Sequence, residues 1–214
     1  VGEFACVGLK VALYSGGKDS VYAALISWPV DLFVMFDYDF LSPLSPHLVN
    51  VRSAVKLAGS LSVPFVVLKV HRNNAMNEQA DFFRKMNADQ IIAGDQAVED
   101  HVKYFDEVAR RAGASLREPL WGRDPAELLL QEAQALSFVI VGAKEKFRDL
   151  LCMRVSRKNV QELLRLSEKL GFDPIGESGE YHSLVYRVEG RGASIDVRCR
   201  RRLRSNGELI ALMD

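Results

Sequence analysis

Short apolar runs alternate with amphipathic stretches through the first two thirds of the chain. Residues 9–14 (LKVALY) read as a buried strand, followed by a glycine turn and a helix over 19–28. A second apolar run spans 30–37. Ser45-Pro46 then supplies a helix cap with proline at the first helical position, and the helix should reach residue 60. Residues 64–70 and 89–94 predict two further strands, each followed by a helix, over 73–87 before the second of them and 97–112 after it; Gly113 stops the latter. Asp124-Pro125 caps another helix that leads into a strand at 137–142. Strands alternating with helices of about 10–15 residues predict βαβ units, hence a doubly wound parallel α/β sheet with helices on both faces. Ligands of such sheets sit beyond the carboxyl ends of the strands. The residues to inspect are therefore 15–20, 37–39, 71–73, 94–95 and 142–144.

The character changes near Ser156. A helix over 156–170 ends at Gly171, and a loop rich in glycine and glutamate follows. Period-2 segments then appear at 184–188, at 193–199 and near Leu209. In the middle one Ile195, Val197 and Cys199 alternate with Asp196, Arg198 and Arg200, the pattern of a half-buried antiparallel ribbon. This predicts a sheet domain over 1–145 and a small α+β subdomain over 146–214, packed against the sheet. The exposed edge of the terminal ribbon could pair with a second copy in a homodimer.

Composition narrows the picture only a little. Twenty-eight basic residues balance 28 acidic ones, so no global field draws in nucleic acid or an acidic membrane. No apolar run approaches the ~20 residues of a membrane span. Residues 1–10 lack the basic and apolar regions of a signal peptide. Cys6, Cys152 and Cys199 form no CxxC pair and read as incidental thiols of a reducing, cytoplasmic compartment.

The candidate chemistry sits in Tyr14-Ser15-Gly16-Gly17-Lys18-Asp19-Ser20, between the first strand and the first helix. Two glycines let a ligand approach the backbone. The helix start offers N–H groups and a positive dipole end to anionic oxygens. Ser15 and Ser20 add hydroxyls and Lys18 a cation. Asp19 is either a helix cap or a carboxylate for Mg²⁺ beside bound polyphosphate. The spacing is not that of a Walker A loop.

The string SGGKDS resembles the signature of the PP-loop (N-type) ATP pyrophosphatases, whose fold is of the adenine nucleotide alpha hydrolase-like type. Glu118-Pro119-Leu120-Trp121 with Asp124-Pro125-Ala126-Glu127-Leu128-Leu129 is similar to the PLW…DPxxLL segment of diphthine–ammonia ligases. Residues 176–183 (GESGEYHS) resemble that family's GExGE-[FY]-x-[TS] motif. His47 with Asn50, and Gly94-Asp95 with Glu99 and His101, match further segments. The likeness spans about residues 9–188. Leu57 replaces the family's usual glutamine, and residues 142–155 lack its Leu-Gly-Arg-like element; both departures bear on the acceptor.

The resemblance implies an ATP- and Mg²⁺-dependent ligase. It would adenylate the carboxylate of diphthine on elongation factor 2 and transfer ammonia to give diphthamide, AMP and pyrophosphate. Residues 14–20 with Asp37, Gly94 and Asp95 would bind the nucleotide, and Asp19 the metal. Lys18, Glu177, Glu180 and His182 would serve catalysis, the last three on the acceptor side. Two carboxylates three residues apart could hold a second metal, orient ammonium or take its proton. Two other classes compete. A tRNA-modifying PP-loop enzyme would want paired cysteines or a basic extension, and only Arg198, Arg200, Arg201, Arg202 and Arg204 offer one. A non-catalytic nucleotide-binding module would bind ATP without releasing pyrophosphate.

Overall fold

The computed structural model describes residues 8–42 and 44–214; Cys6 lies outside them. The first unit is a five-stranded parallel sheet built from β1 (Leu9–Leu13), β2 (Leu32–Tyr38), β3 (Phe65–Val70), β4 (Ala88–Ile92) and β5 (Ser115–Arg117), in the order β3-β2-β1-β4-β5. Neighbouring residues point to opposite faces. Val11, Val34 and Ile91 pack under α4 (Ala75–Lys85) and α5 (Glu99–Ala112). Ala12, Phe33 and Ile92 pack under α1 (Lys18–Ile26), α3 (Val51–Ser60) and α6 (Pro125–Ala135). Helices thus cover both faces, as the alternation predicts. The three-residue β5 was not predicted; it is half exposed and too short to carry a period.

The second unit is antiparallel, in the order β10-β11-β6-β8-β9. Its strands are β6 (Leu136–Lys144), β8 (Tyr181–Val188), β9 (Ala193–Ser194), β10 (Cys199–Ser205) and β11 (Glu208–Met213), with β7 (Arg154–Val155) beside β6. The sequence pattern places residues 137–142 in the parallel sheet, but β6 is instead the central strand of the antiparallel one. Its residues 136–143 are all buried. An apolar run covered on both sides reads the same in either kind of sheet, so periodicity could not assign it. The α+β character of the second unit is completed by α7 (Val160–Leu170).

Two predicted elements split. The period-2 run at 193–199 pairs with β8 only over β9; the chain then turns, and Arg198 exchanges two backbone hydrogen bonds with Asp214. Cys152 and Cys199, expected as incidental thiols, are joined, which ties the turn after β6 to the start of β10. The helix predicted to run to residue 60 breaks into α2 (Pro46–Val49) and α3 at Asn50.

Asn50 shows why. Its side chain turns inward and is 2% exposed. Nδ2 donates to Pro46 O at 2.8 Å and to Ala211 O at 2.9 Å, while Oδ1 accepts from Met213 N at 2.8 Å. β11 pairs with β6 only as far as Ile210, and the carboxamide satisfies the backbone groups beyond it. One side chain of the first unit thereby satisfies backbone groups of the second. Replacing it with alanine leaves a buried carbonyl and N–H without partners, each worth about 1–3 kcal/mol. Asn50→Ala should lower the urea-unfolding free energy by roughly 2–4 kcal/mol.

Candidate functional site

The loop between β1 and α1 is held from both units. Gly16 adopts φ +77°, and a side chain there would press on Ala54 Cβ at 2.9 Å. Its carbonyl accepts from Val185 N at 2.8 Å, and Lys18 N donates to Ser183 Oγ at 3.0 Å. Two β8 groups therefore fix the loop in place. Inside it, Gly17 N donates to Ser15 Oγ at 3.2 Å, Ser15 N donates to Ser20 Oγ at 3.2 Å, and the two hydroxyls lie 3.2 Å apart. These small donors form one end of a pocket of about 470 Å³. From the other side comes the end of β4. A side chain at Gly94 would stand 2.9 Å from Asp19 O and 3.1 Å from Ser20 N, so only glycine lets these two segments touch.

Lys18 takes a different course from the one its place in the loop suggests. Its side chain is fully buried and does not itself line the pocket, although Asp19 and Tyr181, which its ammonium approaches, both do. Nζ meets Asp19 Oδ1 at 2.5 Å and Glu132 Oε2, on α6, at 3.2 Å. Burial opposes its charge, but Asp19 and Glu132 outweigh it and push the pKa up. Glu132 is itself fully buried; burial and the Asp19 charge raise its pKa well above the usual carboxyl range, and Lys18 pulls it back. The ammonium sits 5.8 Å from the centre of the Tyr181 ring.

The remaining rim is acidic on one side and carries imidazoles on the other. Asp95 Oδ1 meets His101 Nδ1 at 3.0 Å, and Asp95 N donates to Glu118 Oε2 at 3.2 Å. Glu177 reaches across from the second unit, and its Oε1 accepts from Gln96 N at 3.0 Å and Ala97 N at 3.1 Å. Burial, and then the Asp95 charge, push Glu118 up to about 8. The hydrogen bond to the Asp95 carboxylate raises His101. Opposite, His182 Nε2 lies 3.3 Å from Glu208 Oε1, and the His47 ring stands edge-on to His182 at 5.3 Å. Burial, and then His182, push His47 down to about 4. The hydrogen bond to His182 lowers Glu208.

Tyr14, Ser15, Gly17, Asp19, Ser20, Gly94, Asp95, Glu177 and His182 share this pocket; Gly16, Lys18, Asp37 and Glu180 do not line it. Tyr14 is mostly buried scaffolding: its ring stacks on Phe33 at 4.2 Å and its hydroxyl donates to Ala54 O at 3.0 Å. Asp37 stands opposite Lys69 of β3, while its neighbours Phe36 and Tyr38 face the pocket. Glu180 lies just behind the rim, with Oε2 buried and unpartnered. Residue-by-residue reading gave no site role to His47, Glu118, Glu132, Tyr181, Ser183 or Glu208. One signal was available for Glu132: it falls in phase with Leu128, Leu129 and Ala133 on the buried face of α6.

A parallel sheet whose first strand is followed by SGGKDS, opening on a pocket shared with a second unit, defines a PP-loop, ATP-using enzyme. Residues 8–116 match the family model of the diphthamide synthase N-terminal domain, and residues 124–190 that of the diphthamide synthase C-terminal domain. The chain belongs to the diphthamide synthase family, and is a diphthine–ammonia ligase-like, ATP-dependent enzyme. Among curated proteins there is no match. One solved structure, a predicted subunit of tRNA methyltransferase from Methanocaldococcus jannaschii, is 14% identical, with 86% of this chain and 98% of that one covered and a TM-score of 0.47.

Two consequences are measurable. Lys18→Met leaves Glu132 buried without its cation and should cost about 3–5 kcal/mol in urea unfolding, whereas Lys18→Met/Glu132→Leu should recover most of it. The second concerns Glu118. A carboxyl raised in the fold binds a proton that the unfolded chain has already lost, so its contribution is complete below about pH 4.5 and is lost as pH rises through about 8. The melting temperature of Glu118→Gln, relative to the native protein, should therefore climb between pH 5 and pH 8.

Proposed function

We propose that the pocket adenylates the carboxylate of diphthine on elongation factor 2 and passes the acyl group to ammonia. The carrying observation is that a phosphate-binding loop and an acid- and imidazole-lined rim share one pocket. The loop N–H groups, with Ser15 and Ser20, hold the triphosphate, and the α1 N-terminus favours its charge. Leu13, Val34, Met35 and Leu48 offer the apolar end to the adenine ring. Mg²⁺ fits this donor set. Mg²⁺ takes one or two carboxylates plus phosphate oxygens, and Asp19 is the carboxylate beside the loop, 31% exposed. Asp19 and the phosphate oxygens would be its ligands. The ion would neutralise charge as pyrophosphate leaves.

The carboxylate oxygen of the acceptor attacks the α-phosphorus, and pyrophosphate departs. Ammonium then gives up a proton, ammonia attacks the acyl carbon, and AMP leaves with the bonding electrons. Glu180 Oε2, buried without a partner, suits the ammonium proton. His182, backed by the Glu208 carboxylate, is the base for the second proton of the tetrahedral intermediate. Glu177 clamps the β4–α5 turn against the second unit and so shapes the acceptor side. Lys18 acts by holding Asp19 rather than by touching phosphate. Among the described residues no helix is long and apolar enough to cross a membrane. An acceptor on the translation machinery places the enzyme in the cytoplasm. Joined cysteines are uncommon there, so this compartment follows from the acceptor and not from cysteine usage.

The test is release of AMP and pyrophosphate from ATP–Mg²⁺ and ammonium, with and without diphthine-bearing elongation factor 2. Factor-dependent release should fall at least ~100-fold in Glu180→Gln and His182→Ala, the scale of a lost acid–base group, with ATP binding retained. Ser20→Ala should weaken ATP binding itself. ATP binding without factor-dependent release would keep the ligase and discard diphthine as its acceptor.

A further inference from the structure

Outside the pocket, a run of arginines lies on β10 and just before it. Arg198, Arg200, Arg201, Arg202 and Arg204 are all exposed, in a chain whose formal charge sums to zero. β10 is an edge strand: it pairs with β11 on one side, and its other side is open among the described residues. Three of the five arginines are engaged by the chain's own carboxylates. Arg198 meets Asp196 at 3.4 Å, Arg204 meets Glu145 at 2.6 Å, and Arg200 pairs with Asp214. Arg201 and Arg202 make no ion pair or side-chain hydrogen bond among the described residues. They are adjacent in the strand, so they leave it on opposite faces.

The strand also has a fixed relation to the pocket. Ser205, at its end, lies 3.4 Å from Ser42 (Oγ to Oγ), next to the pocket-lining Leu41. β11 then returns from this hairpin and places Glu208 against His182. A row of cations therefore leads away from the rim.

We infer that β10 is a binding ridge for a nucleic-acid strand, engaged through its phosphates. The row is all arginine, whose planar fork matches a phosphate bidentately. Same-face positions recur about every 6.7 Å along a strand, so the cations form a line and not a point. Because Arg201 and Arg202 flank the ridge on both faces, a flexible phosphate chain following the edge meets both. The flat face of an acidic protein would meet only one. No aromatic side chain lies on β10 to stack a base, so binding is independent of sequence and driven by counterion release. The inference does not rest on the acceptor of the ligase.

The probe is a fluorescein-labelled oligouridylate of about 12 nucleotides, within the usual length of a single-strand site. Anisotropy titrations would run from ~50 to ~200 mM salt, the range in which phosphate contacts weaken steeply. The native protein should bind with a salt dependence of roughly −0.7 log units per log unit for each phosphate contact. Arg201→Glu/Arg202→Glu should weaken binding about tenfold or more at the lower salt and flatten the slope by roughly 1.4, two contacts' worth. Arg201→Gln/Arg202→Gln should fall between. Both variants keep a polar edge and should retain native ATP binding, which shows that they are folded. Unchanged affinity in the glutamate variant would overturn the inference. So would poly-glutamate competing as well as RNA at equal charge, since that marks an acidic protein partner. Sedimentation showing that two copies pair through β10 would overturn it as well.

Discussion

The buried pair of Lys18 and Glu132 carries the geometry of this site. Both side chains are excluded from solvent, one at the start of α1 and the other in the middle of α6. A charge in such a place is tolerated only with its partner, and removing either strands the other. The pair therefore locks the start of α1 against α6, with Asp19 held beside it. The usual expectation for a lysine in a glycine loop is a cation aimed at phosphate. Here its ammonium is paired with Asp19 and Glu132.

A second constraint is that the pocket belongs to neither unit alone. β8 supplies two hydrogen bonds to the loop, Glu177 caps the turn after β4, and Asn50 satisfies backbone groups of β11. Gly94 and Gly142 permit the close approaches that this needs: a side chain at Gly142 would meet Pro46 Cγ at 2.6 Å. Polar ties between the units orient them, because a hydrogen bond has direction and apolar burial does not. The acid group of Asp95, Glu118 and Glu177 is likewise assembled from β4's end, the β5–α6 connection and the second unit. Glu118 is raised because it shares a poorly solvated corner with other carboxylates.

Much of the first unit was legible along the chain. Alternating apolar runs and capped helices predict a parallel sheet, and the string SGGKDS marks its ligand end. The residues that failed to follow the reading fail for identifiable reasons. β6 is buried on both faces from residue 136 to 143, so its period carries no information about its partners. The helix predicted to end at residue 60 breaks at Asn50, because a buried carboxamide satisfies groups 161 and 163 residues away. Asp37 does not line the pocket although Phe36 and Tyr38 beside it do, and strand phase alone could not show this, since Met35, in phase with Asp37, lines it too.

What the amino-acid sequence determined by itself is local and periodic: the strand, glycine loop and helix at 9–26, the alternation that makes a parallel sheet, and motifs that match one family. Its information is contained in neighbours a few residues apart, where backbone preference and side-chain phase act. What only the tertiary structure decided is long-range. It brought Lys18 to Glu132 and Glu208 to His182, joined Cys152 to Cys199, and set the Ser205 end of β10 beside the rim. Those contacts are chosen by how two sheets pack, and no window of sequence contains both partners.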